Sequence, residues 1–180
     1  MANVGRGRVV GSLRYVLERM AEKKLLGLTV AHRLLADFLS IAPADECLAM
    51  VEAAKDAIAA MLGSKEGAKA ACAMLGMSGA KGRKAMVKVL GAHIVEVATH
   101  PVGHLVLIQA LDKTDDTRLL AKHILQPLFA AHPRRAARLA RDRFARKIIL
   151  HLLTPKSTAH FPPSDLETLQ PYFLPSLSTP

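Results

Sequence analysis

Apolar residues in this chain recur at steps of three and four rather than alternating, and the segments in which they do so repeat. Residues 65–75, moved 36 positions forward, fall on residues 101–111 with the same pattern. Moved back by 36, they fall on residues 29–39. A fourth copy, residues 143–153, lies 42 positions after the third. In each copy a small residue opens the segment: Ala31, Gly67, Gly103 or Ala145. Apolar side chains then follow three, four, seven and eight positions later. They are Leu34, Leu35, Phe38 and Leu39; Ala70, Ala71, Met74 and Leu75; Val106, Leu107, Ala110 and Leu111; and Ile148, Ile149, Leu152 and Leu153. On an α-helix that spacing makes one buried stripe. The small opening residue predicts a close approach to a neighbouring element.

Each copy is preceded by a second helical pattern, at residues 9–26, 45–62, 81–98 and 118–129. Gly91 is expected to split the third into two short helices. Residues 114–117 read as the N-cap region of the fourth, with acids placed well for a helix start. Pro133 is expected to open a short Arg-rich turn or helix. Ser164 and Glu167 have capping-box spacing for a final helical turn. Pro162, Pro163, Pro171, Pro175 and Pro180 predict an irregular tail. No single repeat buries its own stripe, so the repeats must stack. The predicted fold is all-α: an α-solenoid of about four helical repeats over residues 1–155, then a Pro-rich tail over residues 156–180 with a short helical turn.

Composition narrows this picture. A chain of 180 residues with 51% apolar residues has ample material for a core, and its Ala and Leu favour helix. Aromatics are 4% and Trp is absent, which argues against an all-β sandwich. No charge-free stretch reaches the ~20 residues of a membrane span. Arg6, Arg8, Arg14 and Arg19 interrupt the first twenty residues, so a secretory signal is not expected. Cys47 and Cys72 form neither metal spacing nor a disulfide framework, which fits a reducing compartment. There is no Rossmann glycine pattern and no phosphate loop. Lys and Arg number 25 against 15 Asp and Glu, a net charge of +10, which points to a polyanionic partner, nucleic acid first.

Several of these motifs carry a closer resemblance. Residues 65–69, Lys81-Gly82-Arg83-Lys84, residues 103–107 and Asp115-Asp116-Thr117 follow in order. Residues 146–155 and His160-Phe161-Pro162-Pro163 complete the series. Together they resemble the C-terminal region, called the CPL domain, of the Puf-A/penguin group of nucleolar Pumilio-like (PUF repeat) proteins. The resemblance runs from about Leu13 to about Leu169. It implies a curved, armadillo-like repeat protein that binds RNA, or DNA, with little sequence preference. It further implies work in the nucleolus on ribosomal RNA processing and large-subunit assembly, beside pre-ribosomal proteins. Ala145 stands where such an opening usually has Gly. The resemblance also implies further N-terminal repeats, so the chain reads as the C-terminal part of such a protein.

In sequence-reading Pumilio proteins two side chains of each inner helix touch a base edge. The equivalent positions here are His32 and Ala36, Ala68 and Cys72, His104 and Ile108, Arg146 and Leu150. None is a hydrogen-bonding pair of the reading type, since Ala, Ile and Leu offer no donor or acceptor. The residues between them are Arg33, Lys69, Leu105 and Lys147, three of them basic and suited to phosphate. Charge is concentrated in two runs. Lys81, Arg83, Lys84 and Lys88 occur without an acid. Arg134, Arg135, Arg138, Arg141, Arg143, Arg146 and Lys147 occur against only Asp142. These eleven basic residues and one acid match the net charge of the whole chain. The expected nucleic-acid-binding set is these eleven with Arg33, Lys65, Lys69 and His104. Stacking is expected to bring the two runs onto one face.

Other chemistry finds less support. His100 and His104 are separated by Pro101 and Gly103 and are not joined by other ligands at metal spacing, so packing or capping is expected of them. Cys72 reads as a small buried residue. Glu66 lacks a partner for acid–base work. No cofactor, small-molecule substrate or enzyme activity is expected. The competing reading is a protein-interaction scaffold whose basic surface docks acidic partners.

Overall fold

The computed structural model describes residues 2–130, 134–155 and 157–170, and the structured chain is helical with no β-strand among those residues. Four helices form an inner row: α2 (Thr29–Ile41), α4 (Lys65–Met77), α7 (Gly103–Lys113) and α10 (Ala145–Leu153). Each packs on the next in chain order. These are the four copies of the repeat. An outer layer comprises α1 (Ala2–Glu22), α3 (Ala44–Ala54) with the 3-10 stretch Lys55–Gly63, and α5 (Ala80–Ala92) with α6 (Ile94–Thr99). It continues with α8 (Thr117–Leu120), the π-helical stretch Ala121–Ala130 and α9 (Arg135–Arg141). A last helix, α11 (Pro163–Leu169), lies across α4 and α7. No helix among the described residues is long and apolar enough to cross a membrane.

The apolar stripes account for the stacking. Leu35, Phe38 and Leu39 of α2, Ala70, Ala71, Met74 and Leu75 of α4, and Val106, Leu107 and Ala110 of α7 are all buried. The fourth stripe is buried at Ile148 but leaves Leu152 and Leu153 at 47% and 74% exposure. α10 ends the row of inner helices among the described residues. The small opening residues have the predicted cause. A Cβ on Gly67 would collide with the Met61 carbonyl oxygen, and one on Gly103 would lie 2.6 Å from that of Val97. α4 and α7 therefore start against the end of the preceding outer segment. Ala31 and Ala145, which open the other two copies, are both buried.

Local chemistry sets the element ends. Ser64 caps α4, its Oγ accepting from Gly67 N at 3.0 Å. Asp116 caps α8 through Leu119 N at 2.9 Å, in the region where the acids predicted a helix start. α1 stops at Glu22, short of the expected Leu26. Lys24 adopts φ 57°, and Leu25 N bonds Met20 O while Lys24 N bonds Ala21 O. That is a Schellman turn, with Lys in a left-handed position that glycine usually takes. Gly91 does not break its helix: α5 continues to Ala92, and the break falls at His93. Instead Gly91 is a contact point, where a Cβ would meet His123 O at 2.8 Å. Pro127 lacks an N–H and crowds the preceding turn, and the chain around it is a wide π-coil rather than a regular α-helix.

The end of the chain differs most from expectation. Residues 163–169 form a helix with Pro163 at its first position, and Ser164 lies inside it rather than at the cap. Thr168 Oγ1 donates to Ser164 O, so the expected capping box is absent. Phe161 and Leu169 are 1% and 2% exposed and belong to the core. The expectations for Pro133, Pro171, Pro175 and Pro180 fall outside the described residues.

Candidate nucleic-acid interface

Most of the base-reading positions on the inner helices are sealed from solvent. Ala68, Cys72 and Ile108 are fully buried, and His32 and His104 are 1% exposed. His32 Nδ1 lies 2.8 Å from Ser64 Oγ, tying α2 to the cap of α4. His104 Nδ1 donates to His100 O at 3.0 Å, and its ring lies 5.4 Å from that of Phe144. His100 Nδ1 in turn accepts from Gly103 N at 3.3 Å. Packing and capping are thus what this His pair does, and among the described residues no group of His, Cys, Asp and Glu could hold a metal. Burial pushes the pKa of both His32 and His104 below the usual imidazole value, and Lys147 lowers that of His104 further. His104 is therefore a neutral core residue and leaves the surface set.

Three of the inner basic residues, Lys69, Lys147 and Arg33, are tied to acids. Lys69 Nζ donates to Glu167 Oε1 at 2.5 Å, a hydrogen bond that holds the Glu167 carboxyl below its ordinary pKa. Lys147 pairs with Asp165, and both side chains are mostly covered. Arg33 pairs with Asp37 at 3.4 Å on its own helix. His151 Nε2 lies 2.7 Å from Asp112 Oδ1, and its ring meets the edge of Phe161 at 6.1 Å. Lys65 is exposed at the start of α4.

The outer layer is different. Lys81, Lys84 and Lys88 are exposed on one face of α5, at spacings of three and four, opposite the buried Gly82, Met86, Val87 and Leu90. Arg83 turns back to donate to Ser78 O at 2.7 Å. The Ala121–Ala130 stretch packs on α5, and α9 packs on that stretch. Arg138 and Arg141 are exposed on α9, while Arg135 is half-buried and donates to Pro127 O at 2.6 Å. Arg134 is exposed just before α9. Arg143 stacks over Phe144 at 4.3 Å from the ring centre, and Arg146 is exposed. Asp142, the lone acid of this run, accepts from Phe144 N and Ala145 N and so turns the chain into α10.

Two contributors escaped the sequence reading. Arg118 and Lys122 are exposed on the strip that joins the two basic runs. Burial lowers the pKa of His123, and Lys122 and Lys88 lower it further, so both lysines lie near this residue. The signal was present, since residues 117–141 contain no Asp or Glu. Asp165 and Glu167 also escaped, because nothing local indicates that their partners are Lys147 and Lys69.

A row of stacked inner helices opening on small residues, backed by a layer of outer helices, defines a Pumilio-like helical-repeat fold. The comparisons agree. No protein-family model matches the chain. Pumilio homolog 3 of Mus musculus is 29% identical over 163 residues, covering 90% of this chain and 25% of that protein. Protein penguin of Drosophila melanogaster is 30% identical over 166 residues, covering 90% and 22%. Human Puf-A, solved alone and in complex with DNA, superposes with a TM-score of 0.82 at 29% identity, covering 89% of this chain and 31% of that one. The chain's homologues are thus Pumilio homolog 3, penguin and Pumilio-domain proteins, and it matches the Puf-A/penguin group as its motifs implied. It spans about a quarter of the length of these curated relatives.

Proposed function

We propose that this chain is a nucleic-acid-binding module that holds RNA, or DNA, by its phosphate backbone and does not read base sequence. The observation that carries this is the pairing of two features in a Pumilio-like fold. Most positions that would touch bases are apolar or buried, as at Ala68, Cys72 and Ile108. Meanwhile α5 and residues 117–141 carry ten Lys and Arg and no acid. Phosphate contacts supply affinity but no sequence information. The likeness to human Puf-A, which has been solved in complex with DNA, supports the same reading. We extend it to ribosomal precursor RNA, large-subunit assembly alongside pre-ribosomal proteins, and a nucleolar location.

The test is binding of unrelated RNA and DNA oligonucleotides of equal length across a salt series. Affinities should agree within roughly tenfold, a spread of about 1.4 kcal/mol, and should fall steeply with salt for every sequence. A thousandfold preference for one sequence would refute backbone recognition. Absence of binding at low salt would leave the basic surface to acidic protein partners. Imaging of the tagged chain and sedimentation with precursor ribosomal particles test the cellular part. A chain that stays outside the nucleolus and apart from those particles would remove it.

A further inference from the structure

Cations without an ion pair are concentrated in the outer layer, although Lys65 and Arg146 are exposed on inner helices. On the inner side, α11 lies across α4 and α7, anchored by Phe161 and Leu169 in the core. Its acids engage Lys69 of α4 and Lys147 of α10. Two of the three basic residues between the reading positions are thus neutralised by one short segment, and Arg33 is paired within its own helix. On the outer side Lys81, Lys84, Lys88, Lys122, Arg138 and Arg141 form no ion pair with a described Asp or Glu, although Asp115 and Asp116 line the same pocket as Lys81 and Lys84. These residues stand on consecutive packed elements, α5, Ala121–Ala130 and α9. Lys81 and Lys88 are separated by about 10 Å of helix rise, close to roughly three phosphate-to-phosphate steps along one duplex strand.

We infer that the phosphodiester backbone docks along this outer strip, and that the inner face over α4 and α7 is closed to it by residues 157–169 of the chain itself. The inference rests on the nucleic-acid binding proposed above and assigns it a side. A polyanion gains most where cations lack internal counter-charges, because a paired lysine must first give up its carboxylate. On the inner face that step also requires displacing a helix whose apolar side chains are part of the core.

The experiment measures binding of labelled duplex and single-stranded oligonucleotides to the full chain by fluorescence anisotropy in a salt series. Lys81→Gln/Lys84→Gln/Lys88→Gln should lower the salt slope for duplex by about 2–3 units, near 0.9 for each phosphate that is no longer neutralised. Asp165→Asn/Glu167→Gln, which frees Lys69 and Lys147, should change affinity less than about threefold. A slope unchanged in the triple variant, or a tenfold gain in the double variant, would overturn the assignment and return the ligand to the inner face. Lysine acetylation footprinting of the wild-type complex provides a readout independent of mutant folding. Lys81, Lys84, Lys88 and Lys122 should be protected and Lys65 should not; the reverse pattern would also overturn it. Failure of the wild-type chain to bind any probe at low salt would sink the functional proposal itself, and is distinguished by needing no variant.

Discussion

Gly67 offers the sharpest test of how the repeats are joined. Replacing it with Ala adds one methyl at the third position of α4. In an open helix the change stabilises by up to about 1 kcal/mol, since Gly is the poorer helix former. Here the added Cβ would collide with Met61 O and lie 2.8–2.9 Å from the His32 ring. Neither neighbour moves away freely. Met61 O belongs to the backbone of the 3-10 stretch, and the His32 ring is held by Ser64 Oγ at 2.8 Å. Overpacking of this kind costs roughly 1–3 kcal/mol. Displacing the start of α4 would also weaken the Ser64 cap, which is worth about 1 kcal/mol. After the propensity gain, the net expected loss is about 2 kcal/mol. For a chain of this size that corresponds to a fall in Tm of roughly 4–8 °C. Urea unfolding of Gly67→Ala and Gly11→Ala side by side isolates the effect. A Cβ on Gly11 in α1 meets nothing within 4 Å, so that variant should be neutral or up to about 1 kcal/mol more stable. A Gly67→Ala protein as stable as the wild type would refute the close approach on which the repeat joint rests.

Other outcomes follow from the same structure. Leu107→Ala should cost about 2–5 kcal/mol in urea unfolding, because its side chain is fully buried between stacked inner helices. Arg135→Gln should destabilise by roughly 1–2 kcal/mol through loss of the charged hydrogen bond to Pro127 O, whereas Arg138→Gln should leave the unfolding midpoint unchanged. Lys24→Gly should stabilise by about 1 kcal/mol, since it relieves a left-handed non-glycine residue in the Schellman turn. His32 and His104 have folded pKa values below the unfolded imidazole value. The unfolded chain therefore binds more protons as pH falls below about 6.5. Their stabilising contribution is complete above that pH and is lost on acidification, and His104→Gln should flatten the dependence measured between about pH 7.5 and 5.

Periodicity and small-residue placement determined the inner row. A helix buries whatever recurs at three and four, so the stripe around Leu107 was legible without any tertiary information. The Gly or Ala that opens each copy likewise announced a close approach, though not that Gly67 faces Met61 and His32. Caps such as Asp116 are local and were legible for the same reason. The clustering of basic residues was visible, but their roles were not. Arg135, Arg138 and Lys147 look alike as letters, yet one holds a backbone carbonyl, one is exposed and one is paired. The pairing of Lys69 with Glu167 spans 98 positions, and no spacing rule connects residues so far apart. Only the fold, which carries residues 157–169 back across α4 and α7, decides which cations keep their charge for a partner. Which side chains line up as an apolar stripe is governed by near neighbours along a helix. Charge compensation is governed by distance in space, and that distance exists only once the repeats have stacked.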